Sequence, residues 1–241
     1  MKNIQRCQLR QVSKGYPLQD GTQQIFDNLT LSLLLSGITV LVGRSGCGKT
    51  TLLRLLAGLE QPEQGEIIFT RDNIAYQPKI GMVFQESRLL PWLTVAENIM
   101  LSRSKWQEAD ALPYLELVGL ESSYLHSKPD ALSGGMAHRV AIARALAYQP
   151  DILLMDEPFA ALDYFTRMAL QQKVIDIQQQ THTAVIFVTH NVDEALLLAN
   201  QILVLRKGQA PVPFSINAAY PRHLESAELV QHRQEILQML L

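Results

Sequence analysis

The sequence predicts an α/β protein whose core is a parallel sheet with helices on both faces. Three observations carry that prediction. Short, fully apolar, β-branched runs recur (ITVLV at 38–42, ILLM at 152–155, AVIFVT at 184–189), and each is followed by a segment of helical pattern. Continuous apolar strands alternating with helices are the pattern of a sheet buried on both faces. The whole chain is 241 residues, 47% hydrophobic and 18% charged, enough apolar material for a real core and too much for disorder.

Taken in order, residues 4–16 alternate roughly with period 2, and Gln19-Asp20-Gly21-Thr22 is a turn signal between two such runs, so short strands are expected there. Leu29 to Leu35 is apolar and Ser36-Gly37 turns the chain into ITVLV. A glycine-rich loop leads into TTLLRLLAGLE, which reads as a buried helix. Gly65 to Thr70 and Ile80 to Phe84 read as strands. From about Glu86 the texture becomes helical: Leu101 to Leu120, with Pro113 placed as a first-turn proline of a second helix, then Gly134 to Tyr148, ended by Pro150. Asp151 to Met155 is a strand, Phe165 to Gln180 a helix, Ala184 to Thr189 a strand, Val192 to Ala199 a helix and Ile202 to Leu205 a strand. Pro211 to Tyr220 reads as irregular, and Glu225 to Leu241 as a terminal amphipathic helix. The expected organisation is one domain over 1–241, with 1–85 and 148–241 as the α/β core and 86–147 as an inserted helical lobe.

Composition excludes several classes. The 21 Lys and Arg against 23 Asp and Glu give a net charge of −2, without the basic excess of a dedicated nucleic-acid binder. Cys7 and Cys47 are the only cysteines, too few for a disulfide-built fold. No secretory leader is expected, because the first residues lack an apolar stretch. No window reaches the ~18–20 unbroken apolar residues needed to span a bilayer. No His/Cys grouping has zinc spacing and no G-x-S-x-G elbow occurs.

The sharpest motif is Gly43-Arg44-Ser45-Gly46-Cys47-Gly48-Lys49-Thr50, a full G-x-x-x-x-G-K-[ST] match between a strand and a helix. Glycines let the backbone wrap closely, so successive N–H groups point at phosphate oxygens at a helix N-terminus. Lys49 then reaches the β- and γ-phosphates, Thr50 ligates Mg²⁺ and Thr51 meets the α-phosphate. A P-loop alone says only nucleoside triphosphate. The second half is ILLMDE: a buried strand delivers Asp156 to its C-terminal end for the Mg²⁺ shell, and Glu157 follows as general base toward a water. His190 closes another buried strand, where it can bond the γ-phosphate and help fix that water.

Leu132-Ser133-Gly134-Gly135-Met136 then points to a family. With the P-loop, MDEP and His190, the chain resembles the ATP-binding subunit of an ATP-binding-cassette (ABC) transporter, over almost its whole length. The resemblance implies the P-loop ABC ATPase fold: a parallel core sheet, an N-terminal antiparallel β part and the inserted helical lobe. It implies Tyr16 as the aromatic stacked on adenine, Gly43 to Thr50 as Walker A and Gln85 as the Q-loop residue, at the Mg²⁺ with Thr50 and Asp156. It also implies Ile152 to Glu157 as Walker B, Ala161-Leu162-Asp163 as the D-loop and His190 as the switch histidine, with ATP and Mg²⁺ as cofactors. Catalysis would fall to Glu157, His190, Lys49 and Gln85. In a head-to-tail homodimer, Ser133, Gly134 and Gly135 of one copy would complete the ATP site of the other.

The same resemblance implies separate transmembrane permease subunits, a periplasmic or extracellular solute-binding protein, and a place on the cytoplasmic face of the cell (inner) membrane. Residues 86–99, with Leu90, Trp92 and Leu93 as apolar contacts for a permease helix, are similar to the nitrate, sulfonate, taurine and thiamine-precursor importers. So is the tail, Tyr220-Pro221-Arg222 onward. An exporter or lipid-release subunit is the alternative. The chain departs from the family at Met136 (usually Gln), at His138-Arg139 (usually Gln-Arg) and at Ala160 (usually Ser). None of these removes a phosphate, metal or base residue, so an active ATPase is expected.

Overall fold

A computed structural model describes residues 5–18, 21–160 and 162–241. In chain order they form β1 (Gln5–Leu18), β2 (Gly21–Leu34), β3 (Ile38–Val42), α1 (Lys49–Leu56), β4 (Gln64–Arg71), β5 (Ile74–Ala75) and β6 (Ile80–Val83). Next come α2 (Val95–Ile99), α3 (Glu108–Leu117), 3₁₀ turns at Ser122–Tyr124 and Pro129–Ala131, and α4 (Gly134–Ala147). The chain ends with β7 (Ile152–Asp156), α5 (Tyr164–Thr181), β8 (Ala184–Thr189), α6 (Val192–Leu198), β9 (Gln201–Val204), β10 (Val212–Ser215) and α7 (Ala227–Leu240). Among the described residues, no helix is long and apolar enough to cross a membrane. Two compact units result: residues up to Pro78 with Ala184–Leu241, and Lys79–Thr183.

In the first unit, β2, β1, β4 and β5 make an antiparallel sheet in that order. β1 and β2 are 14 residues each, longer than the short strands expected. The register shifts between Leu9 and Val12 explain the difference. Both side chains are fully buried although three apart, which an unbroken period of 2 forbids and a bulge allows. The alternation therefore breaks where the strand does not. Gln19 and Asp20 of the expected turn lie outside the described residues.

β3 lies between β8 and β9, parallel to both. Every residue of β3 and β8 is buried, as their apolar runs require. β10 adds an antiparallel edge strand, Val212 opposite Val204. This strand falls inside the stretch expected to be irregular: Pro211 and Pro213 punctuate it, and an edge tolerates a residue without an N–H.

The second unit pairs β6 and β7 in parallel and packs α4 against β6, α2 and α3. Small residues on α4 (Ala141, Ala143, Ala145, Ala147) are buried. At Gly81, a Cβ would come within 3.0 Å of Ala145 O, so strand and helix approach too closely for a side chain there. Leu101 to Leu120 is not one helical stretch, and Pro113 is not a first-turn proline: α3 starts at Glu108 with Pro113 inside it. Asp110 accepts from Gln107 N at 2.7 Å and sets the start one turn before the proline. Only the bond to Ala109, four residues back, is lost to the ring.

The tail closes the first unit. Arg222 is 8% exposed and donates to Ala218 O (2.9 Å), Leu196 O (3.0 Å) and Ala199 O. Its guanidinium lies 4.3 Å from the Tyr220 ring, and Tyr220 donates to Leu198 O. Three carbonyls at the end of α6, which no further helical turn satisfies, thus find donors. Replacing Arg222 by Met should strip two of those carbonyls and cost about 2–4 kcal/mol. Urea unfolding checks this, and Arg222→Lys should recover part of the loss; an unchanged midpoint in the Met variant would contradict it.

Candidate functional site: a phosphate loop and four strand ends

The first unit holds the glycine loop. Val42, the last residue of β3, is level with Thr189, the last of β8. Gly43 and His190 therefore leave neighbouring parallel strands at the same end. The loop between β3 and α1 is tight: a Cβ on Gly43 would sit 2.5 Å from Leu205 O and 2.6 Å from Cys47 Sγ. Gly46 and Gly48 have φ of 80° and 102°, a region costly for any residue with a Cβ. A Cβ on Gly48 would also strike Ile25 and Phe26 at 2.7 and 2.8 Å. Gly48 caps α1, and Leu52 N donates to Gly48 O at 2.8 Å.

Lys49 is 5% exposed, and its ammonium donates to Gly43 O at 2.8 Å and Arg44 O at 3.2 Å. Its charge is thus held against the loop's own carbonyls. Thr50 and Thr51 follow in the first turn of α1. Burial raises the pKa of Cys47, with Lys49 opposing.

Tyr16, near the end of β1, donates to Glu60 Oε2 at 2.7 Å and stands 3.4 Å from Thr51 Oγ1. Glu60 also pairs with Lys14 (3.4 Å) and Arg54 (3.3 Å). The Tyr16 hydroxyl first, then Lys14 and Arg54, hold its carboxyl below the usual range. Sequence reasoning missed Glu60, which has no motif around it; its role in fastening the expected adenine aromatic to α1 shows only in three dimensions.

The second unit repeats the strand-end logic. Val83, the last residue of β6, is level with Met155 on β7. Gln85 and the pair Asp156-Glu157 therefore emerge at the same end of two parallel strands. Glu157 has φ of +43°, uncommon for a residue with a side chain and of the kind that clusters at functional sites. The chain thus leaves the strand conformation at Glu157, directly after the last residue of β7. Among the described residues, no three His, Cys, Asp or Glu side chains form a metal-holding group. The donors that Gln85 and Asp156 offer at these strand ends are oxygens, a kind that suits Mg²⁺ completed by phosphate and water.

The signature segment also lies in this unit. Ser133 caps α4, its Oγ accepting from Met136 N at 3.3 Å. Ser133 and Gly134 are exposed and Gly135 is buried. A Cβ on Gly134 would meet nothing within 4 Å, whereas one on Gly135 would come 2.5 Å from Thr166 Cγ2 of α5. Asp163 caps α5 by accepting from Thr166 N at 3.1 Å; that hydrogen bonding holds its carboxyl below the usual range. Ala161 lies outside the described residues. His138, one of the departures from the family pattern, is 7% exposed with no hydrogen-bond partner for Nδ1. Burial lowers its pKa, which keeps the ring neutral around pH 7. Trp92 is 67% exposed, while Leu90 and Leu93 are half-buried.

A glycine loop between a buried strand and a helix, with a carboxylate pair ending a second buried strand, defines a P-loop nucleotide-binding ATPase. A family model described as ABC transporter matches residues 26–160. A protein of Bacillus thuringiensis subsp. konkukian (strain 97-27), named "Aliphatic sulfonates import ATP-binding protein SsuB", is 42% identical over 239 residues, covering 95% of this chain and 94% of that one. The Shouchella clausii (strain KSM-K16) "Aliphatic sulfonates import ATP-binding protein SsuB 1" is 42% identical, covering 92% and 87%. Among solved structures, the dimeric post-hydrolysis state of the ATP-binding cassette MJ0796 bound to ADP and Pi matches with a TM-score of 0.76 at 31% identity, over 88% of this chain and 100% of that one. The chain belongs to the ABC transporter family and has its ATPase fold. It is an ATP-binding subunit whose hydrolysis is coupled to transport.

Gly135 has a steric duty besides any contact with nucleotide. Gly135→Ala should lower stability by about 1–3 kcal/mol through overpacking against Thr166, and Gly135→Ala with Thr166→Ser, which removes the obstructing methyl, should recover most of it. Thermal or urea unfolding of the two variants checks this; no recovery in the double variant would contradict the steric account.

Proposed function

We propose that this chain powers the import of aliphatic sulfonates, hydrolysing ATP in sites shared by two copies. The observation that carries the chemistry is the pairing of strand ends: Gly43 with His190, and Gln85 with Asp156-Glu157. In this reading, residues 1–85 and 148–241 bind and cleave the nucleotide, and 86–147 carries the signature. Tyr16 stacks on adenine. The loop amides of Arg44, Ser45, Gly46, Cys47 and Gly48 receive the phosphates, and Lys49 leaves its two carbonyls to meet the β- and γ-phosphates. Thr51 meets the α-phosphate.

Thr50 and Asp156 would hold Mg²⁺, with Gln85 at its shell; bound there, the ion would supply charge neutralisation for the phosphates. Glu157, turned out of its strand, orients the water and takes its proton. His190 donates to the γ-phosphate and keeps that water in line. Phosphoryl transfer demands mostly positioning and charge neutralisation, which this set supplies.

Ser133 and Gly134 offer an exposed hydroxyl and an uncrowded backbone N–H at the start of α4, with Gly135 following beneath them. One chain has a single P-loop and a single signature, so the signature of one copy would complete the triphosphate site of the other. Asp163 links the two sites. The dimeric cassette relatives support this arrangement. Leu90, Trp92 and Leu93 form the apolar contact for a helix of a separate permease, which would hold the chain at the cytoplasmic face of the membrane beneath a solute-binding protein. The relatives' names favour sulfonate cargo and import over export or lipid release.

The test is ATPase activity of the complex reconstituted with its cognate permease and solute-binding protein. Turnover should rise with alkanesulfonate-loaded binding protein and not with nitrate or pyrimidine precursors. Glu157→Gln in the same complex should keep ATP binding, trap the dimer and lose turnover by about a hundredfold or more. Stimulation by nitrate alone would contradict the cargo, and undiminished turnover in Glu157→Gln would contradict the base.

A further inference from the structure

The loop that follows Gln85 is fastened by a side chain nearly 60 residues away in sequence. Arg144, in the last turn of α4, donates from Nη1 to Arg88 O at 2.7 Å and from Nη2 to Ser87 O at 2.8 Å. Both acceptors are backbone carbonyls, so the contact is indifferent to the side chains of the loop and sensitive to its path. Two parallel N–H groups of a planar fork fix a direction as well as a distance, which an ammonium cannot do.

That path is an unusual one. Arg88 has φ of +46°, and strained backbone persists only where its surroundings over-determine it. Here the surroundings are specific. The Arg88 guanidinium lies 4.2 Å from the Phe84 ring and folds the loop back on the end of β6. Downstream, Asn98 is completely buried on α2. Its Nδ2 donates to Leu90 O, Leu93 O and Thr94 O, and its Oδ1 accepts from Leu90 N at 2.8 Å. Residues 84–94 are thus held at their start by Phe84–Arg88 and by Arg144 on Ser87 O and Arg88 O, further on by Lys128, whose Nζ donates to Trp92 O at 2.6 Å, and at their end by Asn98.

We propose that Arg144 is a positioning residue that makes the Gln85 loop and the signature helix one mechanical body. α4 runs from the residue after Ser133 to the turn bearing Arg144, a rod of about 20 Å. A displacement of Gln85 is passed through Ser87 O and Arg88 O to the far end of that rod, and so to Ser133. The inference rests on the roles assigned to Gln85 and Ser133 under the proposed function. Arg139 supplies the internal contrast. It projects from the same helix and donates to a carbonyl too, Gly119 O at 3.0 Å, but ties α4 to the residues after α3.

A double-mutant cycle on the full chain tests this, reading steady-state ATPase kinetics together with binding of a fluorescent ATP analogue. Arg144→Met should lower kcat about tenfold while KM for ATP and analogue affinity stay within about twofold. Arg144→Lys, which keeps the charge but not the fork, should fall between, and it replaces the Met variant in the cycle if that variant does not fold. Arg139→Met should leave kcat within about twofold even where its unfolding midpoint drops as far. In a Gln85→Ala background, Arg144→Met should cost less than about a further twofold, because the two act through one loop.

Additive losses in the double variant, or an equal loss of kcat in Arg139→Met, would overturn the role of Arg144. A Gln85→Ala chain turning over at the full rate would instead bring down the reading of Gln85 on which the inference stands.

Discussion

Parallel pairing in fixed register is the constraint on which the rest of the molecule depends. A parallel strand delivers all its followers to one end of the sheet, and each unit uses this once. β3 and β8 end level at Val42 and Thr189, so the phosphate loop and His190 start together. β6 ends at Val83, level with Met155 one residue before the end of β7, so the Gln85 loop and Asp156-Glu157 emerge together. A slip of one residue in either pair would turn every side chain to the opposite face. The buried, β-branched character of these strands is what fixes the register, and the chemistry inherits its precision from that packing.

The groups that would meet phosphate are largely backbone, and this explains why so many of the structural demands fall on glycine. Gly43 and Gly48 are hemmed in by Leu205 and by Ile25 and Phe26, and Gly135 by Thr166. Gly134, by contrast, faces open space. Gly43 and Gly48 are therefore needed for packing as well as for access, whereas Gly134 keeps the start of α4 bare on its exposed side. The same economy governs the fastenings. Arg144, Asn98 and Arg222 all hold backbone carbonyls, so they shape loop and helix ends without depending on which side chains those segments carry.

Much of this was legible in the sequence because the motifs are local. Walker A and Walker B each occupy a strand and its following turn, and an apolar run next to a glycine or carboxylate cluster is visible without knowing the fold. The elements α4, α5 and α6 fall within a residue or two of their expected bounds, since Ser133, Asp163 and Asn191 cap them in place. What escaped has a common cause. β1 and β2 look like short strands because bulges interrupt their alternation. β10 is hidden by prolines that an edge strand tolerates. α3 begins before Pro113 because Asp110 caps it earlier. Glu60, Arg144 and Asn98 answer to partners set by the tertiary path, and no spacing rule marks them.

The central claim is that each triphosphate is clamped between a P-loop from one copy and a signature serine from the other. Mixing two inactive chains measures this directly. Lys49→Ala lacks a working P-loop and Ser133→Ala lacks a working signature, so each alone should form no complete site. A mixed dimer should regain one intact site, with Lys49 of one copy facing Ser133 of its partner, and ATP-driven association and hydrolysis should reappear on mixing. Activity that stays at the average of the two separate chains would contradict the shared site.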